Sequence, residues 1–133
     1  MSATLATLAL LAVSLLFGGM MLFSFGFAAF LFSALPTEVA RQTIRRAFPH
    51  FYVFVMISAV FASGLIFSRD PFSAGLLLFI ALTTLPARQI LMPAINRATD
   101  SGAKTRFKWL HSVSVVITLL HIGLTGAVLT RFV

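Results

Sequence analysis

Three histidines, His50, His111 and His121, are the side chains in this sequence best suited to chemistry. Two of them belong to the series His111, Ser114, Thr118, His121, Thr125, whose steps of three and four residues keep side chains on one face of a helix. His111 and His121 are about 15 Å apart along such a helix, too far to ligate one mononuclear metal. His50 and His111 instead fall at the ends of apolar runs, as do Tyr52, Arg88, Asn96 and Trp109. Two imidazoles, a guanidinium and an amide at helix ends form one candidate polar cluster. The competing reading is that His, Trp, Tyr and Arg at this depth anchor the helices at a membrane interface.

A metal centre wants three or four ligands and only His50 and His111 can meet, so no metal site is assigned. Haem or copper held by His50 and His111, or by His121, is the cofactor reading left open. Met20, Met21 and Met56 could add soft ligands for Cu(I), but Met and Phe in an apolar chain more often serve packing. His121 lies deep in an apolar run, where an imidazole serves as a proton relay, a haem ligand or a substrate contact. The alternative is a hydrogen bond to Ser14, Ser58 or Thr83 on another helix, with Ser114 and Thr118 as further packing groups. The acids Glu38, Asp70 and Asp100 all lie between apolar runs. Carboxylate-driven proton transport is therefore disfavoured, and paired-carboxylate or Ser-His-Asp catalysis has no support. With no cysteine, a catalytic thiol and a thiolate metal site are excluded.

The elements that must carry these residues follow from composition. Of 133 residues, 59% are hydrophobic and 10% charged, against roughly a quarter charged in soluble domains, so the chain is built for lipid. At about 20 residues per crossing, its length accommodates one domain of four spans. The spans are expected near residues 4–35, 49–68, 71–96 and 107–132, forming an all-α four-transmembrane-helix bundle.

Met1 to Thr37 holds no charged residue and reads as a retained span instead of a cleavable signal, which wants a positive start. Fully helical, it would be about 50 Å long against a hydrocarbon core of about 30 Å. It must tilt, protrude or begin late. Ser14, Gly18 and Gly26 share a face expected to pack on a neighbouring helix. After Pro36, residues 38–47 set Glu38, Arg41, Arg45 and Arg46 against Val39 and Ile44, the pattern of a short amphipathic helix lying at the headgroups. Pro49 is expected to restart the chain as the second span, with Ser58, Ala59, Ala62 and Ser63 on one face. Asp70 should cap the third span with Pro71 in its first turn. Pro86 and Pro93 should kink that span. Arg88, about 25 Å beyond Pro71, can snorkel to the far interface or make a buried ligand contact.

Arg41, Arg45, Arg46, Arg97, Lys104, Arg106 and Lys108 gather on one side, leaving Arg69 and Arg131 on the other. The formal net charge of +7 then follows the positive-inside pattern and calls for no nucleic-acid partner. Both termini are expected on the non-cytoplasmic side.

Several short signatures occur in order: Gly18-Gly19 before Phe23-Ser24-Phe25, Leu31-Phe32 with Leu35-Pro36, Phe48-Pro49 with Phe51-Tyr52, Pro93 with Asn96, and Leu110-His111 with Ser114. From about Leu11 to Val128 the chain resembles the small four-helix family that includes eukaryotic transmembrane protein 205 and bacterial relatives grouped as domain of unknown function 4149. The family often has Trp where this chain has Phe17, and Asn where it has Thr118, so a role resting on that amide is not implied here. A fainter likeness is to four-helix copper-resistance and anthrone-oxygenase-type membrane domains. The resemblance implies topology and no particular reaction; the location expected for the chain is a bacterial inner membrane.

Three functional readings follow. The first is a non-enzymatic packing subunit or scaffold, associating with itself or with a larger membrane complex within the bilayer. The second is a haem- or metal-binding redox or oxygenase-like protein using His121 or His50/His111. The third is a small oligomeric transporter or channel around the polar stripe.

Overall fold

The computed structural model describes all residues, Met1–Val133. Four helices account for nearly the whole chain: α1 (Ala3–Ala34), α2 (Thr37–Ile66), α3 (Pro71–Asp100) and α4 (Lys104–Thr130). Each is long and apolar enough to cross a membrane, and there is no strand. The all-α four-span architecture is therefore as the hydropathy requires. Helix α2 packs on α1 and α3, and α4 closes the ring against α1 and α3. The turns at residues 35–36 and 101–103 lie at one end of the bundle, and the 67–70 turn lies at the other with both termini.

The helix ends have identifiable causes. Ser2 caps α1, its hydroxyl accepting from the Leu5 N–H at 3.2 Å. Leu35 turns extended ahead of Pro36, which ends α1. The Asp70 carboxylate accepts from the Ser73 N–H at 3.2 Å and Pro71 opens α3, as its sequence predicts. At the end of α3, Gly102 adopts φ +70°, while the Ala103 N–H reaches the Ala98 carbonyl at 3.0 Å and the Gly102 N–H reaches that of Thr99 at 3.2 Å. This is a Schellman stop, and it needs a residue that tolerates the left-handed region.

Two expectations are revised. The amphipathic segment 38–47 is not a separate interfacial helix but the first turns of α2, which runs through Pro49 without interruption. Phe48 stacks edge-on against Phe51 at 6.3 Å and contacts Tyr52 at 5.7 Å, so aromatic packing on both sides of the proline holds the helix across the missing donor. The Ser14/Gly18/Gly26 face also fails to pack inward: Ser14 and Gly18 are exposed, and a Cβ on Gly18 would meet nothing within 4 Å. The buried stripe of α1 is Ala9, Val13, Leu16 and Met20. Gly19 is the position of close approach, where a Cβ would lie 2.6 Å from the Phe54 ring.

Helix α3 runs unbroken through Pro86 and Pro93. After Pro86 the helix widens into a π segment, Ala87–Leu91, in which the Ala87 N–H is shared between the Thr83 and Thr84 carbonyls. Helix α1 has a second π segment, Leu22–Phe27.

The core is lopsided. Its α1 members end at Met20 and its α4 members begin at Ile122, while α2 and α3 contribute from Phe51 to Ile66 and from Ala74 to Ala87. All four helices are thus sealed together at the end holding the termini. Outside, Leu11, Leu15, Leu22, Phe30, Ile57, Phe61, Leu82, Ile90 and Val116 are exposed all round the bundle, the surface of a chain solvated by lipid. At the terminal end the Arg131 guanidinium grips Asp70, with Nε donating to Oδ2 at 2.6 Å and Nη2 to Oδ1 at 3.1 Å, and the Ser73 hydroxyl adds a bond at 2.6 Å.

Candidate functional site

Where the core stops, a cavity begins. It measures about 770 Å³ and occupies the end of the bundle that carries the basic segments, with walls from all four helices. Its origin lies in α1. Within the π segment Phe23 stacks flat on Phe51 of α2 with centroids 4.1 Å apart, meets Phe48 edge-on at 5.2 Å and stacks on Phe27 of its own helix at 5.4 Å. Aromatic packing thereby ties the second half of α1 to α2, while α1 closes on α4 through its first half, Ala3–Met21. The second half of α1 and the first half of α4 face each other across a gap.

The gap is graded in polarity. At its mouth stand Glu38, Arg41, Arg45, Asp100, Lys104 and Lys108. Arg45 is held by Asp100, Nη1 and Nη2 donating to the two carboxylate oxygens at 2.7 and 3.0 Å. Arg41, Lys104 and Lys108 form no ion pair. Deeper in the wall are Ser24, Tyr52, Asn96, His111, Ser114 and Thr118, with the Tyr52 hydroxyl facing Ser114. Phe25, Phe32, Val115 and Leu119 line the side open to lipid.

The residues singled out by sequence divide into three groups. Asn96, His111, Ser114 and Thr118 share the cavity wall, and His111 lies flat on Phe107 with centroids 5.5 Å apart. His50 is exposed and outside that wall, and Trp109 is 71% exposed, so neither joins His111 in one site. Phe48 and Tyr52 are one helical turn apart and point inward; His50, midway between them, must point away. The Arg88 Nε donates to the Pro49 carbonyl at 3.2 Å, which pins α3 to α2, and its Nη1 donates to the Gln89 side chain at 3.3 Å.

His121 is buried, and its Nε2 meets Thr83 Oγ1 at 2.7 Å, one of the three interhelical partners expected for it. The Thr83 hydroxyl is within 2.8 Å of the Phe79 carbonyl, to which it donates, so it accepts from the imidazole N–H. The donor set does not suit a metal centre or a bis-imidazole haem site. No three His, Asp or Glu side chains come together, the imidazoles are dispersed, and His121 spends Nε2 on Thr83.

What sequence reasoning missed is the divergence of α1 from α4 and the Arg45–Asp100 clasp. Both depend on how helices distant in sequence meet, which local periodicity does not carry.

Residues 11–104 match a family described as Domain of unknown function (DUF4149). The chain belongs to that family. The DUF4149 match takes in the α1, α2 and α3 walls of the cavity and stops where α4 begins, before His111, Ser114 and Thr118. No curated protein and no solved structure matches the chain.

Proposed function

We propose that this small membrane protein is a non-enzymatic binder of an amphipathic, membrane-resident molecule, which enters the cavity from lipid between α1 and α4. The observation that carries the reading is the cavity itself. Its volume of about 770 Å³ is within the range of ligand sites, roughly 300 to 1,000 Å³, and its wall passes from charged to polar to apolar along one axis.

The test is to purify the protein in mild detergent, extract it and identify bound molecules by mass spectrometry. A co-purifying amphiphile near equimolar amount is expected, lost when Ser114→Phe and Thr118→Phe fill the cavity in a variant that keeps its helical circular dichroism. An empty wild-type protein, or retention in the filled variant, overturns the proposal.

A packing role, as a homo-oligomer or as a subunit of a larger complex, has one observation of its own. Ser14 and Gly18 lie exposed on α1 with open space over Gly18, where a second helix could approach closely. Gly18→Leu should then shift the species seen by size-exclusion with light scattering; an unchanged mass removes this reading.

For the membrane we propose a bacterial inner membrane with the basic end in the cytoplasm, supported by the clustering of Arg41, Arg45, Arg46, Arg97, Lys104, Arg106 and Lys108 at that end. Kinship with transmembrane protein 205, the finer family placement, is supported by the ordered signatures through Leu110-His111. The cysteine-free chain permits a direct topology test. Ser101→Cys should resist an impermeant thiol reagent in intact cells, and Ser68→Cys should react.

A further inference from the structure

Resting on the reading of the cavity as a lipid-facing binding site, we infer that its ligand is a single-chain amphiphile with a phosphate headgroup. The charge at the mouth sets the headgroup. Asp100 is already satisfied by Arg45 in a two-bond clasp, and Glu38 lies 3.5 Å from the Gln42 amide. Arg41, Lys104 and Lys108 have no carboxylate partner, so three cations from two helices converge on one opening. A site for a neutral headgroup gains nothing from such an arrangement, and three cations exceed what one carboxylate needs. A phosphate, with up to two negative charges and several acceptor oxygens, matches it.

The shape sets the tail. Lys104 to Thr118 on α4 and Glu38 to Tyr52 on α2 each span about 21 Å of helix along the cavity. A cavity of about 770 Å³ drawn out over that length has the elongated shape that suits an extended hydrocarbon chain. Phe25, Phe32 and Leu119 on the open side are 54%, 46% and 49% exposed, so the outer wall of the slot is apolar and unpartnered where a tail would lie. The headgroup is then held at the basic mouth while the tail runs toward the bilayer midplane between α1 and α4.

The full-length protein in micelles, titrated calorimetrically with three probes, tests this. Palmitoyl glycerol phosphate should bind at least about tenfold more tightly than palmitoyl glycerol. The variant Arg41→Gln/Lys104→Gln/Lys108→Gln should lose that preference, binding the two lipids with equal affinity. Equal affinity for the two lipids overturns the headgroup assignment and leaves the cavity proposal intact. Binding of neither overturns both. Inorganic phosphate binding as tightly as the lipid phosphate overturns the tail, identifying the site as one for a free anion. A preference that survives the triple substitution places the anion elsewhere and also overturns the inference.

Discussion

Arg45 and Asp100, 55 residues apart in sequence, meet through two hydrogen bonds of 2.7 and 3.0 Å and join the start of α2 to the end of α3. The bidentate geometry fixes the relative position of two cavity walls, but both side chains are well exposed, at 44% and 61%. Exposed ion pairs contribute little to stability and are screened by salt. Asp100→Asn should therefore lower the melting temperature slightly in low salt, and the difference should vanish at about 0.5 M salt. A deficit that persists there would show that the pair is structural in a way its exposure does not suggest.

At the opposite end Asp70 predicts an acid dependence. The Arg131 guanidinium, followed by the Ser73 hydroxyl, holds the Asp70 carboxyl well below the usual carboxylate range. A carboxylate whose folded pKa is depressed stabilises the fold fully above its unfolded value, here near 3.8, and loses that contribution as pH falls toward the folded value. Asparagine keeps the capping ability of Asp70 while removing its charge. The melting-temperature gap between the wild type and Asp70→Asn should be constant from neutral pH to about pH 5 and close below pH 4. A gap that widens in acid contradicts the assignment.

The sequence made the four spans, the Asp70 cap and the polar wall of α4 legible, because each depends on local periodicity or on a short cap motif. The rest depends on how helices meet. Pro49 reads as a helix start, yet Phe48, Phe51 and Tyr52 bind both sides of it into one helix. Gly18 and Gly19 are indistinguishable as letters, but only the phase of the Ala9, Val13, Leu16, Met20 stripe decides which of them meets a neighbour. The separation of His50 from His111 was legible in principle, since Phe48 and Tyr52 flank His50 at a spacing that forces it outward. The cavity was not, because it exists only through the divergence of two helices.

Gly19 carries a sharp packing prediction. An added methyl would lie 2.6 Å from Cε1 and Cζ of Phe54, so α1 or the ring must move. Gly19→Ala should destabilise the protein by about 1 to 3 kcal/mol, the usual range for overpacking. Phe54→Leu, which shortens the opposing side chain, should recover part of that loss when combined with it. Thermal unfolding of both singles and the double in the same detergent measures the coupling; strictly additive losses would mean that the two side chains do not oppose each other.

His121 and Thr83 supply the last prediction, and it separates a structural imidazole from a reactive one. With the Thr83 hydroxyl donating to its own helix, the bond between α3 and α4 requires a donor on the His121 side. Glutamine carries an N–H donor of similar reach, whereas leucine does not. His121→Gln should retain most of the stability, and Thr83→Val should cost about 0.6 kcal/mol and no more than about 1.7, the range for such bonds in membranes. In a His121→Leu/Thr83→Val cycle the second substitution should cost little once the first is made. If His121→Gln folds with wild-type stability yet loses amphiphile binding or any assayed activity, the imidazole has a chemical role beyond this bond. If it behaves as the wild type in every assay, His121 joins two helices and does nothing else.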